Sequence, residues 1–213
     1  MDIKFQFEKL DENENVIELS KKYQSKSFVN NFLGILCSDM MADTTITNVG
    51  GAQRTAYYKY GVSQHGGVEL PTRGWGGGKY NSNQDLPVDD KGIVVGTGTE
   101  PVLVTDYKLG AQIANSNDSG GLEYLGCSCR NFIVNTGAGT ASFEVVRMFR
   151  NNSGATVTIT EMGIQQQISY RYVDFSTYSL NDRFLIVRDI VDPSQNVDDG
   201  EILKVTYTIQ IEV

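Results

Sequence analysis

Apolar and polar residues alternate strictly at both ends of this chain. Near the start, Ile3, Phe5 and Phe7 alternate with polar residues, and from Leu203 to Val213 every second residue is apolar. A period of two is typical of a strand with one buried face. The sequence therefore predicts a half-buried strand at each end of the chain.

The stretch between these ends, from Gly92 onward, contains short β-branched runs separated by turn residues. Residues 93–95 and 102–104 lie on either side of a glycine-containing stretch, which predicts a hairpin or a bulge. Further runs with strand character occupy residues 131–134, 142–149, 156–161 and 184–189. Short strands at this spacing predict a mainly β fold: a jelly-roll-like antiparallel β-sandwich forming a single domain over residues 1–213.

One helix is predicted near the N-terminus. In residues 25–41 the apolar side chains, among them Phe28, Phe32 and Leu36, recur at helical spacing. Ser25 and Ser27 are candidate N-caps. We expect an amphipathic helix over residues 25–41 that can contact a neighbouring protein.

Residues 44–90 combine many glycines with large aromatic side chains. So many permissive backbone positions do not favour one long element, and long loops of this kind are usually functional. We expect an extended projecting loop. Four of its aromatic residues are candidates for a subunit contact or for glycan stacking: Tyr57, Tyr58, Trp75 and Tyr80.

The charge and composition of the chain argue against several classes of function. The 213 residues have a formal net charge of -8 and no cluster of Lys and Arg, which argues against specific nucleic-acid binding. No run approaches the roughly 20 apolar residues that a membrane helix requires. Residues 1–10 are charged rather than signal-like. We expect a globular protein of a cytosol-like compartment with no membrane partner.

The residues that usually carry catalysis or hold metals are sparse. His65 is the only histidine, so the usual two-His and three-His metal sites are excluded. Cys127 and Cys129 have strand spacing and face one side, but buried, reduced thiols are the simpler interpretation. The glycines at residues 96–98 lack the Lys and the helix of a phosphate-binding loop, and predict a turn. We expect no cofactor and no metal.

Carboxylate side chains allow two further hypotheses, a glycosidase site and a calcium site. Glu144 and Glu161 fall within strand patterns, and we expect both to face solvent rather than to form a glycosidase pair. Asp192, Asp198 and Asp199 flank turns, where Asp is common because its side chain bonds to the backbone. A Ca²⁺ site there remains the alternative.

Several segments, in this order, resemble a family of tailed-bacteriophage virion structural proteins. The helical stretch from Phe28 to Met41 and residues 48–54 are similar to the N-terminal part of that family. The further segments are residues 92–99 (GIVVGTGT), 106–109 (DYKL), 149–154 (FRNNSG), 158–164 (TITEMGI), 185–189 (LIVRD) and 200–207 (GEILKVTY). Residues 57–90 and 168–182 do not match.

The resemblance implies a non-enzymatic β-sandwich subunit, made in the host bacterial cytoplasm and incorporated into the virion. Its expected partners are copies of itself and other tail, portal or neck proteins, in a homo-oligomeric ring or collar. The family has no catalytic residues to transfer to this chain. The position in the virion stays open, because such folds recur in tail, neck, fibre-attachment and capsid-decoration proteins.

Two other functions compete with a ring subunit. A receptor- or glycan-binding fibre or decoration protein would use the same fold and stack sugars on Trp75, Tyr58 or Tyr80. A carbohydrate-degrading enzyme would need two carboxylates at a defined separation across a cleft.

Overall fold

A computed structural model describes residues 2–25, 28–39, 44–56, 68–69, 91–171 and 179–212. In these ranges the chain is mainly β, with antiparallel sheets and little helix, as the strand patterns predicted. The elements in chain order are β1 (Asp2–Leu10), β2 (Val16–Leu19), β3 (Tyr23–Ser25), α1 (Asn30–Asp39), β4 (Thr44–Thr47), β5 (Gln53–Ala56), β6 (Val68–Glu69), β7 (Gly92–Gly96), β8 (Glu123–Asn135), β9 (Thr140–Arg150), β10 (Val157–Arg171), β11 (Ser179–Val197) and β12 (Ile202–Glu212).

The larger sheet joins the two ends of the chain. Its order is β2-β1-β12-β9-β8, and β3 pairs with β1 beside β2. The terminal strands β1 and β12 lie next to each other, with Phe5 opposite Tyr207 and Ile3 opposite Ile209. Their alternating apolar residues face one side, as the period of two predicted. The sheet therefore ends in β2 on one edge and in β8 on the other.

The second sheet is built on the long hairpin of β10 and β11. Strands β6 and β7 both pair with the other edge of β10, so the hairpin forms most of the sheet. The turn predicted at residues 198–200 connects β11 to β12, where Gly200 has a φ of 84° that glycine adopts without strain. A separate two-stranded sheet consists of β4 and β5.

One apolar core joins the two larger sheets. Side chains from β1, β9 and β12 lie in the same buried cluster as side chains from β7, β10 and β11. The larger sheet contributes Tyr207 and Phe149 to this cluster, and the second sheet contributes Ile93, Ile164 and Val187. All five side chains are fully buried. Burying such side chains stabilises the fold by about 1.5–3 kcal/mol each.

Three segments differ from the sequence-based expectations. Residues 102–104 form no strand, so the hairpin predicted after residues 93–95 is wrong: β7 is followed by an irregular segment up to β8. Residues 44–56, expected in a projecting loop, form the β4–β5 hairpin. Helix α1 occupies Asn30–Asp39, a shorter span than the predicted 25–41, and Ser25 ends β3 instead of capping the helix.

Candidate functional site

The four aromatic residues predicted for subunit or glycan contact, Tyr57, Tyr58, Trp75 and Tyr80, lie outside the described residues, as does His65. Their assignment stays a prediction. Of the region around them, the structure describes the β4–β5 hairpin and the short strand β6.

The predicted interface residues near α1 partly face the core. The Phe28 and Phe32 rings lie 4.0 Å apart, centroid to centroid, and both pack against the buried cluster. Leu36 lies within α1, in a part of the helix whose side chains the structure does not describe. Leu33, in contrast, is 61% exposed. Any contact between this end of the helix and a neighbour would therefore involve Leu33 more directly than either phenylalanine.

Glu161 on β10 was expected to face solvent and is instead completely buried, with 0% exposure. One carboxylate oxygen accepts hydrogen bonds from the backbone N–H of Gly98 at 3.0 Å and of Ala111 at 2.7 Å. The other accepts from the backbone N–H of Gly110 at 3.0 Å and from the guanidinium of Arg188 at 2.9–3.0 Å. The sequence-based expectation for Glu161 is thus wrong, because its charge is neutralised inside the fold.

Arg188 on β11 extends this buried cluster to a second carboxylate. Its guanidinium donates to Asp106 at 2.8 Å and to the carbonyl oxygen of Glu100 at 3.1 Å. Burial alone would lower the pKa of Arg188, but the hydrogen bonds and charges of Asp106 and Glu161 outweigh it, so the pKa is raised. Arg188 therefore stays charged, and we call Glu161, Arg188 and Asp106 the ionic cluster.

The ionic cluster attaches the irregular segment 97–111 to the second sheet. The segment supplies three backbone N–H groups to Glu161, and it supplies Asp106 to Arg188. This arrangement satisfies buried charges that would otherwise destabilise the fold. These contacts hold the segment against the second sheet.

A second buried polar group links the two sheets. The carboxylate of Asp189 accepts hydrogen bonds from the Ser25 hydroxyl at 2.9–3.0 Å and from the Tyr207 hydroxyl at 3.0 Å. Desolvation and the charge of Asp189 raise the pKa of Tyr207 well above its usual value. The phenol therefore stays protonated and donates its proton to Asp189.

Arg147 on β9 is a further buried cation, 1% exposed. Its guanidinium donates to the carbonyl oxygens of Lys91 at 2.9 Å, Ile93 at 2.7 Å and Leu125 at 3.0 Å. It also lies over the ring of Tyr124, 5.2 Å from the centroid. These contacts join β9 of the first sheet to β7 of the second.

The two cysteines of β8 differ in environment. Cys127 is buried and Cys129 is exposed, although both lie on the sheet face predicted from their spacing. Although Cys129 is exposed at the surface, local desolvation, together with the neighbouring Cys127, raises the pKa of its thiol to about 11. A thiol with so high a pKa is mostly protonated at neutral pH and is a weak nucleophile.

Asp192, expected to flank a turn, lies within β11, and the other carboxylates singled out in the sequence have local partners. Asp198 and Asp199 lie in the β11–β12 turn and accept hydrogen bonds from Thr156 and from the Gly154 N–H, respectively. Glu144 forms a surface ion pair with Arg130 at 3.4 Å. In the described part of the chain, no group of three His, Cys, Asp or Glu residues could hold a metal ion. No helix within the same ranges is long and apolar enough to span a membrane.

The exposed apolar residues are concentrated at the two edges of the larger sheet. On β8, Phe132, Ile133 and Val134 are 74%, 58% and 60% exposed. On β2, Val16, Ile17 and Leu19 are 59%, 58% and 60% exposed. Three large apolar side chains at each edge form a surface typical of a protein contact. We call these residues the β8 edge and the β2 edge.

Comparison of the chain with protein-family profiles, with curated protein sequences and with solved structures gives no match.

Proposed function

We propose that this chain is a non-enzymatic structural subunit of a tailed-phage virion. In this proposal it assembles with copies of itself into a ring or collar of the tail, neck or portal-vertex region. The family resemblance of the sequence motifs suggests the virion. The pair of exposed apolar edges on one sheet is the observation that carries the assembly part of the proposal.

The β architecture suits a rigid building block. Two antiparallel sheets that share a core are compatible with the β-sandwich expected from the sequence. The ionic cluster and the Ser25–Asp189–Tyr207 group are satisfied within the protein. Such internally neutralised charges support a structural role for these acids in preference to general acid or base catalysis.

The mass of the purified full chain in solution tests the proposal. Light scattering at increasing protein concentration, followed by electron microscopy of any large species, is expected to show a discrete multimer with cyclic symmetry. A monomer at every concentration would contradict the proposal. A glycan-array screen of wild-type protein and of Trp75→Ala then tests the receptor- or glycan-binding alternative, which predicts binding that the substitution abolishes.

A further inference from the structure

The β8 edge is an unprotected end of the larger sheet. Every residue from Ser128 to Asn135 is exposed, and β8 pairs with β9 on one side only among the described residues. Proteins usually protect such an edge with lysines, prolines or inward-pointing charges, because its free N–H and C=O groups pair readily with another strand. Here residues 126–135 contain no Pro and no Lys, and Arg130 is their only charged residue.

A bulge shapes this edge without making it polar. Asn131, with a φ of 55°, lies where the register between β8 and β9 shifts. Beyond it, Val134 is opposite Ala141, and Ala141 is opposite Ile211 of β12, so apolar residues of three strands form one row. Ile211 is itself 52% exposed. The apolar inner face of the sheet therefore continues past the core to the β8 edge.

The β2 edge is the opposite end of the same sheet. All four residues of Val16–Leu19 are exposed, and β2 pairs with β1 on its inner side while no described strand lies on its outer side. Residues 11–19, which lead into and form this edge, contain four acidic residues and no basic one; Lys21 and Lys22 follow before β3, so residues 11–25 have four acids against two lysines and a net negative charge. The sheet thus has an apolar edge with a net negative charge at one end and, at the other, an apolar edge whose single arginine forms an ion pair with Glu144.

A contact between a β2 edge and a β8 edge is more favourable than a contact between two copies of the same edge. A contact between two β2 edges would bring two net negative stretches together, and a contact between two β8 edges would leave both apolar β2 edges uncovered. A contact between β8 of one copy and β2 of the next places Arg130 near acidic residues instead, and it covers both apolar edges. A β-strand contact of this kind also satisfies backbone groups on both strands.

We infer that copies of this chain join head to tail, with the β8 edge of one copy extending the larger sheet of the next at its β2 edge. Such a heterologous contact generates a ring if the rotation closes and a filament if it does not. This inference rests on the proposed function, because it names the contact by which the proposed ring would assemble.

Two charged substitutions, one on each edge, test the inference. Ile133→Asp adds an acid that would face the acidic β2 edge, and Ile17→Lys adds a base that would face Arg130. Each replaces a side chain that is 58% exposed, so the fold should tolerate it. We expect each variant to raise the concentration at which the multimer dissociates by at least about tenfold.

A mixture of the two variants gives the sharpest result. Ile133→Asp protein keeps an intact β2 edge, and Ile17→Lys protein keeps an intact β8 edge. At a protein concentration where the wild type assembles, head-to-tail contact then predicts that each variant alone is monomeric and that the mixture assembles, because one contact joins two intact edges and the other brings the introduced acid opposite the introduced base. Retention of a homodimer by one variant alone would instead indicate contact between like edges and would overturn the inference.

Matched controls separate failure of the inference from failure of the proposed function. Leu103→Asp and Ala155→Lys alter exposed residues away from both edges, and we expect wild-type assembly from both. If the edge variants assemble normally while a control variant does not, the ring stands but is built through another surface. If the wild-type chain is monomeric at all concentrations, the proposed function fails together with the inference.

Amide hydrogen exchange provides a readout that does not depend on the substitutions. In the wild-type multimer we expect slow exchange in Ser128–Asn135 and in Val16–Leu19. In the monomeric variants, whose unfolding transitions should match that of the wild type, both segments should exchange quickly. Equal exchange in the two states would overturn the inference.

Discussion

Glu161→Gln should be among the most destabilising single-atom changes in this protein. The glutamine has nearly the same shape, but it has one side-chain oxygen where Glu161 has two. One carboxylate oxygen now accepts from the N–H groups of Gly98 and Ala111, and the other accepts from Gly110 and Arg188. The amide NH₂ group of glutamine would replace one of these oxygens and would face donors.

The magnitude follows from the burial of the partners. Removing the negative charge leaves Arg188, itself 3% exposed, with Asp106 as its remaining carboxylate in the ionic cluster. Breaking a buried ion pair by removing one partner costs about 3–5 kcal/mol. Each buried donor left without an acceptor costs about 1–3 kcal/mol, which is of the same order. We therefore expect a loss of about 3–5 kcal/mol in the free energy of unfolding.

Urea denaturation followed by far-ultraviolet circular dichroism measures this loss, and Glu144→Gln is the matched control. Glu144 lies on β9 of the larger sheet, and the side chains of its ion pair with Arg130 are 28% exposed for Glu144 and 43% exposed for Arg130. Exposed pairs contribute about 0–1 kcal/mol, so the control should lose little stability. Amide exchange in residues 97–111 should also become faster in Glu161→Gln, because that carboxylate holds the segment.

Two results would refute this reasoning. If Glu161→Gln and Glu144→Gln differed by less than about 1 kcal/mol, the buried cluster would not stabilise the fold as described. If Glu161→Gln lost stability while exchange in residues 97–111 stayed unchanged, the carboxylate would act through the sheet and not through the segment.

Three further predictions concern single positions. Gly98→Ala places a methyl group against the Glu161 carboxylate and should lower the free energy of unfolding by about 1–3 kcal/mol, measured by urea denaturation. In the control Gly137→Ala, the added methyl carbon would lie 3.5 Å from its nearest neighbour, the Asn135 Oδ1 atom, so little stability should be lost. Because burial raises the pKa of Tyr207, its stabilising contribution should be complete below about pH 10 and decline above it, so Tyr207→Phe should flatten the loss of stability above about pH 10 in urea unfolding. The pKa of Cys129 near 11 predicts slow alkylation at neutral pH that accelerates towards pH 11, measured by peptide mass spectrometry; fast alkylation at pH 7 would contradict it.

Local features that depend on a few neighbouring residues could be predicted from the amino-acid sequence. The alternation in residues 203–211 marks the strand β12, because side chains two apart share a sheet face. The Asp-Asp-Gly at residues 198–200 marks the turn before it, because glycine adopts the positive φ found there. The spacing of short β-branched runs and turn residues likewise predicted a mainly β chain with antiparallel strands.

Contacts between residues far apart in the sequence became visible in the folded structure alone. Glu161 lies in a segment whose sequence pattern predicts a half-exposed strand. Its burial depends on Arg188 from another strand and on backbone N–H groups from residues 97–111. The same holds for the two edges: Ile17 and Ile133 read as ordinary apolar strand residues, and their exposure follows from the order of strands in the sheet. Side-chain period fixes which face a residue shares with its neighbours, but burial depends on what the completed fold places against that face.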